Sequence, residues 1–222
     1  MNPNIASSWS GGKDSCYALM LALKEPKSLK VIINVMNENG KISRSHGLPL
    51  SILQQQANAM NVPLVAVPAS WNEYEKNYVK TLHEVKEEYE IASVVFGDID
   101  LQEHRDWEEM VCRKASLSAL LPVWKKQRKA MVIEMIDAGI ESVIVSCNMT
   151  LGEDFLGRTL NADLIPELEA KGVDVCGENG EFHTVVVNCP LFKQRITLPA
   201  YRKVMNGDYW FCDFEGITKS SI

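Results

Sequence analysis

The sequence predicts an α/β protein built on a doubly wound parallel sheet, with a smaller C-terminal α+β region. Short apolar runs alternate with helical patterns over the first two thirds of the 222 residues, as they do in parallel βαβ units. The runs are continuously apolar rather than alternating, which indicates strands covered on both faces. After about residue 147 the pattern changes to one brief helix and several β-type runs, which indicates a second, smaller region.

Five apolar runs are predicted as strands of the alternating series: residues 5–9, 31–36, 63–67, 92–96 and 142–146. Apolar residues recur at helical spacing between them, which predicts helices over residues 14–23, 50–60, 74–89, 107–121 and 131–136. Further on, a helix is predicted over residues 163–170, and strands over 183–188, 194–198 and 209–214. We expect a first domain over residues 1–122 and a smaller region over residues 123–222 packed on it.

Composition restricts the classes of partner. Hydrophobic residues make up 46% and charged residues 23% of the chain, as in ordinary globular proteins. The net charge of −6 argues against a nucleic-acid partner, because phosphate neutralisation needs clustered Lys and Arg. No apolar run approaches the roughly 18 residues that span a membrane, and the N-terminus lacks the segments of a signal peptide. The six cysteines are scattered without metal-ligand spacing, so we expect free, mostly buried thiols in a cytoplasmic protein.

A glycine-rich loop separates the first predicted strand from the first predicted helix. Its residues are Ser10, Gly11, Gly12, Lys13, Asp14 and Ser15. Two glycines let the backbone turn tightly beside an anion, and a helix N-terminus favours negative charge. The serine hydroxyls and Lys13 add donors, while Asp14 either caps the helix or helps to hold Mg²⁺ on phosphates. The loop therefore predicts ATP binding, although its spacing is neither that of a Walker A loop nor that of a dinucleotide fingerprint.

A second motif is a polar turn that enters a strand. It consists of Cys176, Gly177, Glu178, Asn179, Gly180, Glu181, Phe182, His183 and Thr184. Its glycines indicate positive φ or close backbone approach. Two carboxylates and an amide at such a turn could grip an amino or ammonium group, or place a metal. On the residues alone, a polar hairpin loop at the surface is the alternative.

Two further positions follow predicted strands. Asp98 comes directly after Gly97 at the end of a strand, where open α/β sheets bind their ligands, although an ordinary strand-to-loop Asp is the alternative. His46 follows the second strand and could line the nucleotide pocket or lie on the surface. His183 could act as a general base, since its pKa suits that task, or have only a structural role.

The glycine-rich loop resembles the PP-loop of the ATP pyrophosphatase superfamily, and this resemblance implies an adenine-nucleotide α-hydrolase-like fold. Together with the second motif, it makes the chain similar to the diphthine–ammonia ligase family. The similarity runs from about residue 5 to about residue 195. It continues through Arg105 and through four other segments: residues 96–99, residues 122–124, residues 156–158 and residues 189–192.

The resemblance implies a reaction in which ATP adenylates a carboxylate, pyrophosphate leaves and ammonia forms the amide. It implies ATP and Mg²⁺ as cofactors, with Lys13, Asp14, Glu178 and Glu181 as catalytic residues. The implied nucleotide-binding residues are Ser10, Gly11, Gly12, Lys13, Asp14, Ser15, His46, Gly97 and Asp98. The implied substrate-binding residues are Asn179, Gly180, His183 and Thr184.

The chain departs from the family's eukaryotic-type pattern at His183, where that pattern usually has Glu, and its short length resembles a prokaryotic-type form. The implied partner is diphthine on translation elongation factor 2 in an archaeal or eukaryotic source, and otherwise an unidentified small carboxylate. A tRNA-modifying PP-loop enzyme and a non-catalytic ATP-binding protein stay open as alternatives. The sequence also leaves homodimer formation open.

Overall fold

The computed structural model describes residues 2–44 and 46–214. Its first part is a five-stranded sheet with the order β3-β2-β1-β4-β5, in which every pairing is parallel. The strands are β1 (Asn4–Ser8), β2 (Ser28–Met36), β3 (Leu64–Pro68), β4 (Ile91–Val95) and β5 (Ser118–Leu120). The helices are α1 (Lys13–Ala22), α2 (Leu50–Met60), α3 (Tyr74–Tyr89) and α4 (Gln102–Lys114). This architecture confirms the predicted doubly wound α/β fold.

The C-terminal part is a separate antiparallel sheet with two helices. Its strands are β6 (Glu141–Asn148), β7 (Phe182–Asn188), β8 (Arg202–Asn206) and β9 (Tyr209–Asp213), in the order β7-β6-β9-β8. The helices are α5 (Arg128–Asp137) and α6 (Leu164–Ala170). Within the described residues, none of the helices is long and apolar enough to cross a membrane.

Two hydrophobic clusters cover the two faces of the parallel sheet. Ile32 of β2 belongs to one cluster, whereas its neighbours Val31 and Ile33 belong to the other. This division follows from the alternation of side chains along a strand. The first cluster continues into the second sheet through Phe182 and Val185, so one core supports both sheets.

The buried Gln56 side chain joins the glycine-rich loop to both parts of the structure. Its Oε1 accepts a hydrogen bond from Trp9 Nε1 (2.7 Å). Its Nε2 donates to the carbonyl oxygens of Gly11 (2.9 Å) and Val186 (2.8 Å). The Val186 amide also donates to the Gly11 carbonyl (2.8 Å). The loop after β1 is therefore fixed directly to β7.

Two predictions at the centre of the chain were wrong in part. The helix predicted over residues 107–121 ends at Lys114, and residues 118–120 form β5. Ser116 has a φ of 54° and the Leu117 amide bonds back to the Cys112 carbonyl, so the chain reverses there. Residues 142–146 are a strand, as predicted, but this strand lies in the antiparallel sheet and not in the parallel series.

The predictions for the last third were mixed. The helix over residues 163–170 and the strands over 183–188 and 209–214 are confirmed as α6, β7 and β9. The strand prediction over 194–198 is wrong, because within the described residues this segment pairs with no strand and its backbone bonds β7 only through the Ile196 amide (2.9 Å). Strand β8 was missed because it is an edge strand with a largely exposed, polar sequence, which lacks an apolar pattern.

Candidate active site

A cavity of about 540 Å³ opens beside the carboxyl ends of β1, β2 and β4. The glycine-rich loop contributes Ser10, Lys13, Asp14 and Ser15 to its wall. The segments after β2 and β4 contribute His46, Gly97 and Asp98. The polar turn before β7 contributes Glu178 and Gly180, and the first residues of β7 contribute His183 and Thr184. The two sequence motifs, which lie far apart along the chain, therefore face the same space.

Close packing around the glycine-rich loop excludes side chains at two positions. Gly11 has a φ of 89°, a conformation that favours glycine. A Cβ on Gly12 would lie 2.7 Å from His46 Nε2 and 3.1 Å from the Thr184 carbonyl oxygen. The Gly12 amide donates to Ser10 Oγ (3.3 Å), and the Ser10 and Ser15 hydroxyls are 3.0 Å apart. These contacts support the conformation of the loop.

Lys13 is the cation at the centre of the site. It is only 3% exposed, and its Nζ lies 2.8 Å from Asp14 Oδ2. Burial alone would lower the pKa of Lys13, but the nearby Asp14 and Glu178 carboxyls hold this pKa above its ordinary value. Its backbone amide donates to Thr184 Oγ1 (3.2 Å). Lys13 is therefore charged, and it is anchored to both motifs.

Asp14, Cys176 and Glu178 form a compact group, with their potential ligand atoms within 4.8 Å of one another. Burial raises the pKa of the Cys176 thiol well above its ordinary value, so this thiol stays protonated. Burial, followed by repulsion from Asp14, raises the pKa of Glu178 to about 7. A carboxyl group whose negative charge is disfavoured by a neighbouring carboxyl suits a hard cation, since Mg²⁺ prefers oxygen ligands.

The raised pKa of Glu178 predicts how the stability of the ligand-free protein depends on pH. Its folded-state pKa of about 7 lies above the ordinary value of 4.5, so the folded state binds this proton more tightly. The resulting stabilisation is complete below pH 4.5 and is lost as the pH rises through 7. We expect Glu178→Gln to remove this loss, so that the variant gains stability over wild type between pH 5 and pH 8 in denaturant unfolding. A constant difference across that range would contradict the assignment.

His46 and His183 form a pair of imidazoles beside the loop, with ring centroids 4.7 Å apart. Burial lowers the pKa of both rings. His183 and Lys13 lower the pKa of His46 further, and Lys13 does the same for His183. Both rings are therefore neutral at pH 7. The Nδ1 atom of His46 is buried and has no hydrogen-bond partner among the described residues.

Of the predicted site residues in the second motif, Asn179 and Glu181 lie outside the cavity wall. The Glu181 carboxylate accepts hydrogen bonds from the backbone amides of Asp174 and Asn179, each at 3.0 Å. The Asn179 Oδ1 atom accepts from Arg128 Nη1 (3.0 Å). Their contacts hold the turn that presents Glu178, and in this structure neither side chain faces the cavity.

Several cavity residues were not singled out from the sequence. They are Arg44, Tyr74, His104, Trp107 and Glu108. Tyr74 and Trp107 match the apolar faces of predicted helices, a pattern that is typical of core residues. Glu108 lies on the same buried stripe of α4 as Val111 and Cys112. A carboxylate at an apolar position of a helix was the signal that could have identified it.

Most of the chain matches the two domains of one protein family. A family model described as diphthamide synthase N-terminal domain matches residues 4–119, and one described as diphthamide synthase C-terminal domain matches residues 127–219. Mouse and rat proteins named diphthine–ammonia ligase are each 30% identical, over 91% of this chain and 85% of theirs. The human protein of that name is 28% identical, with the same coverage of both chains.

One solved structure, a predicted subunit of tRNA methyltransferase from Methanocaldococcus jannaschii, is similar over 87% of this chain and 100% of its own. Its sequence identity is 13% and its TM-score 0.38, so the fold assignment rests on the sheets described above. With both halves of the sequence matched and a relative at 30% identity over most of its length, the chain belongs to the diphthamide synthase family.

Proposed function

We propose that this chain is an ATP-dependent amide ligase that adenylates a carboxylate, releases pyrophosphate and transfers ammonia to the acyl group. The observation that carries this proposal is the joining of the two motifs around one cavity, where the Lys13 amide donates to Thr184 Oγ1 (3.2 Å). The names of the relatives, diphthine–ammonia ligase, support the same reaction class. Residues 1–122 would supply the nucleotide side of the site and residues 123–222 the substrate side.

In this proposal the glycine-rich loop binds the phosphates of ATP. The loop amides around Gly11 and Gly12, the hydroxyls of Ser10 and Ser15 and the Lys13 ammonium would contact the departing pyrophosphate. Asp14 and Glu178 would hold Mg²⁺, which neutralises phosphate charge when it is bound. Gly97 keeps β4 close to the loop, because a Cβ there would lie 2.7 Å from the Ser15 nitrogen.

The proposed reaction has two steps. A carboxylate oxygen of the substrate attacks the α-phosphorus of ATP, and the bond from that phosphorus to the pyrophosphate oxygen breaks. The nitrogen of ammonia then attacks the acyl carbon, and the bond from this carbon to the AMP oxygen breaks. Starting from ammonium, two protons are lost. We propose that neutral His183 accepts one of them, since imidazole is a suitable base near pH 7, and that the other passes to solvent.

The proposed acyl substrate is diphthine on elongation factor 2, because the curated relatives are named for diphthine. The alternative is a small carboxylate, which the His183 departure from the eukaryotic-type motif favours. A product assay with each candidate acceptor distinguishes the two substrates, because only one acceptor should support turnover.

The product assay uses ATP, Mg²⁺, ammonium and either elongation factor 2 carrying diphthine or a panel of small carboxylates. We expect AMP and pyrophosphate in equal amounts, formed only when both ammonium and the correct carboxylate are present. Formation of ADP and orthophosphate instead would show that the site transfers a phosphoryl group and would refute the proposal.

A further inference from the structure

The wall of the cavity formed by α4 and the end of β4 carries two carboxyl groups that the proposed steps do not use. Glu108 is 3% exposed and lines the cavity. Its Oε2 is buried and has no hydrogen-bond partner among the described residues. Asp98 lies beside it, and an Asp98 oxygen is 2.6 Å from His104 Nδ1.

The two carboxyl groups share one negative charge at neutral pH. Burial, followed by the neighbouring Asp98, raises the pKa of Glu108 to about 11. Burial opposes the ionisation of Asp98, but the hydrogen bond from His104 holds the pKa of Asp98 below its ordinary value. The pair therefore consists of a protonated Glu108 with a free acceptor oxygen and an ionised Asp98.

Aromatic rings complete this wall. Tyr74 and Trp107 line the cavity, and their ring centroids are 5.5 Å apart. Burial raises the pKa of the Tyr74 phenol, and the nearby Asp98 and Glu108 carboxyls raise it further. Aromatic faces attract cations. Arg44, a cation of the cavity wall, is already engaged by the Trp71 ring (4.6 Å) and the Ala69 carbonyl.

We propose that Asp98 and Glu108 form a binding site for an ammonium cation. One N–H would donate to the free Oε2 of Glu108 and another to the Asp98 carboxylate, with the aromatic rings beside them. The cation is either free ammonium or an alkylammonium group of the acyl substrate. In the first case it supplies the nucleophile, and this assignment rests on the proposed function. A divalent metal is less suited to this wall of the cavity. Within the described residues, the side chains that lie close enough together to hold a metal ion are those of Asp14, Cys176 and Glu178.

The first test uses thallium(I), a monovalent cation that stands in for ammonium, in crystals of the wild-type protein. Anomalous density is expected in contact with Asp98 and Glu108. It should disappear in Glu108→Met, which removes the acceptor oxygen without leaving a buried polar group unpartnered. Glu109→Met is the matched control, because Glu109 faces outward and pairs with Arg105 (2.7 Å). Absence of density at this wall in wild type would overturn the site.

The second test is kinetic and identifies the source of the cation. If it is free ammonium, Glu108→Met should raise the KM for ammonium about 10-fold or more, given the usual strength of a hydrogen bond to a charged group. If it is a group of the acyl substrate, the KM for that substrate should rise and methylammonium, which keeps its N–H donors, should compete with it. A rise in the KM for ATP alone would overturn the proposal, because Glu108 would then contact the nucleotide. Thallium binding in a protein that forms no pyrophosphate would refute the ligase proposal and leave the cation site standing.

Discussion

Replacing Lys13 with methionine should reduce kcat/KM for ATP about 100- to 1,000-fold, the effect typical of losing one preorganised group that stabilises transition-state charge. Lys13 is buried, charged and 2.8 Å from Asp14, in the loop proposed to hold pyrophosphate. Methionine keeps most of the volume of the Lys13 side chain, whose Nζ lies 5.6 Å from the centroid of the Phe182 ring. The measurement is the steady-state rate of pyrophosphate release at varied ATP concentration.

The matched control for this variant is Lys126→Met. Lys126 is partly exposed and pairs with Glu134 (2.6 Å), and it does not line the cavity. Its replacement should leave kcat/KM within about twofold of wild type. Thermal melting of both variants verifies that each is folded. A Lys13→Met enzyme that retains activity close to the control would remove Lys13 from the mechanism.

Replacing Gly97 with alanine should abolish tight ATP binding and destabilise the fold by about 1–3 kcal/mol, the usual range for overpacking. The new Cβ would lie 2.7 Å from the Ser15 nitrogen and 2.9 Å from the Asp14 carbonyl carbon. These are backbone atoms of α1, so they cannot rotate away. The start of α1, and with it the phosphate loop, would have to move. Isothermal titration with ATP and denaturant unfolding measure the two effects.

Gly152→Ala provides the control for this substitution. Gly152 has a φ of 80°, and its Cβ would meet no atom within 4 Å. The variant should lose about 1–3 kcal/mol through backbone strain but bind ATP as wild type does. Unchanged ATP affinity in Gly97→Ala would mean that the contact between β4 and the loop does not position the nucleotide site.

The parallel sheet could be predicted where strands are buried on both faces, because short, continuous apolar runs such as those of β2 and β4 are typical of such strands. Strand β5 could not, since its three residues lie between Leu117 and Leu121, whose spacing also fits a helix. The orientation of β6 could not be predicted either. It is buried along most of its length, and such a strand has the same apolar sequence in a parallel or an antiparallel sheet.

The phosphate loop could be recognised because its function depends on consecutive residues and a local turn. The opposite wall depends on tertiary structure, since Tyr74 and Glu108 come from different helices and meet only when α3 packs beside α4. Sequence also does not distinguish Glu178, which lines the cavity, from Glu181, which holds the turn. Both are acidic residues of one motif, and only the direction of each side chain separates their roles.

Oxygen transfer from the acyl substrate to AMP distinguishes adenylation from every other use of ATP at this site. The carboxylate of the acceptor is labelled with ¹⁸O, the reaction is run to completion with ammonium, and AMP is analysed by mass spectrometry. Adenylation predicts one ¹⁸O atom in each AMP, because the acyl–oxygen bond breaks when nitrogen attacks. Unlabelled AMP with label in pyrophosphate or orthophosphate would contradict the acyl-adenylate.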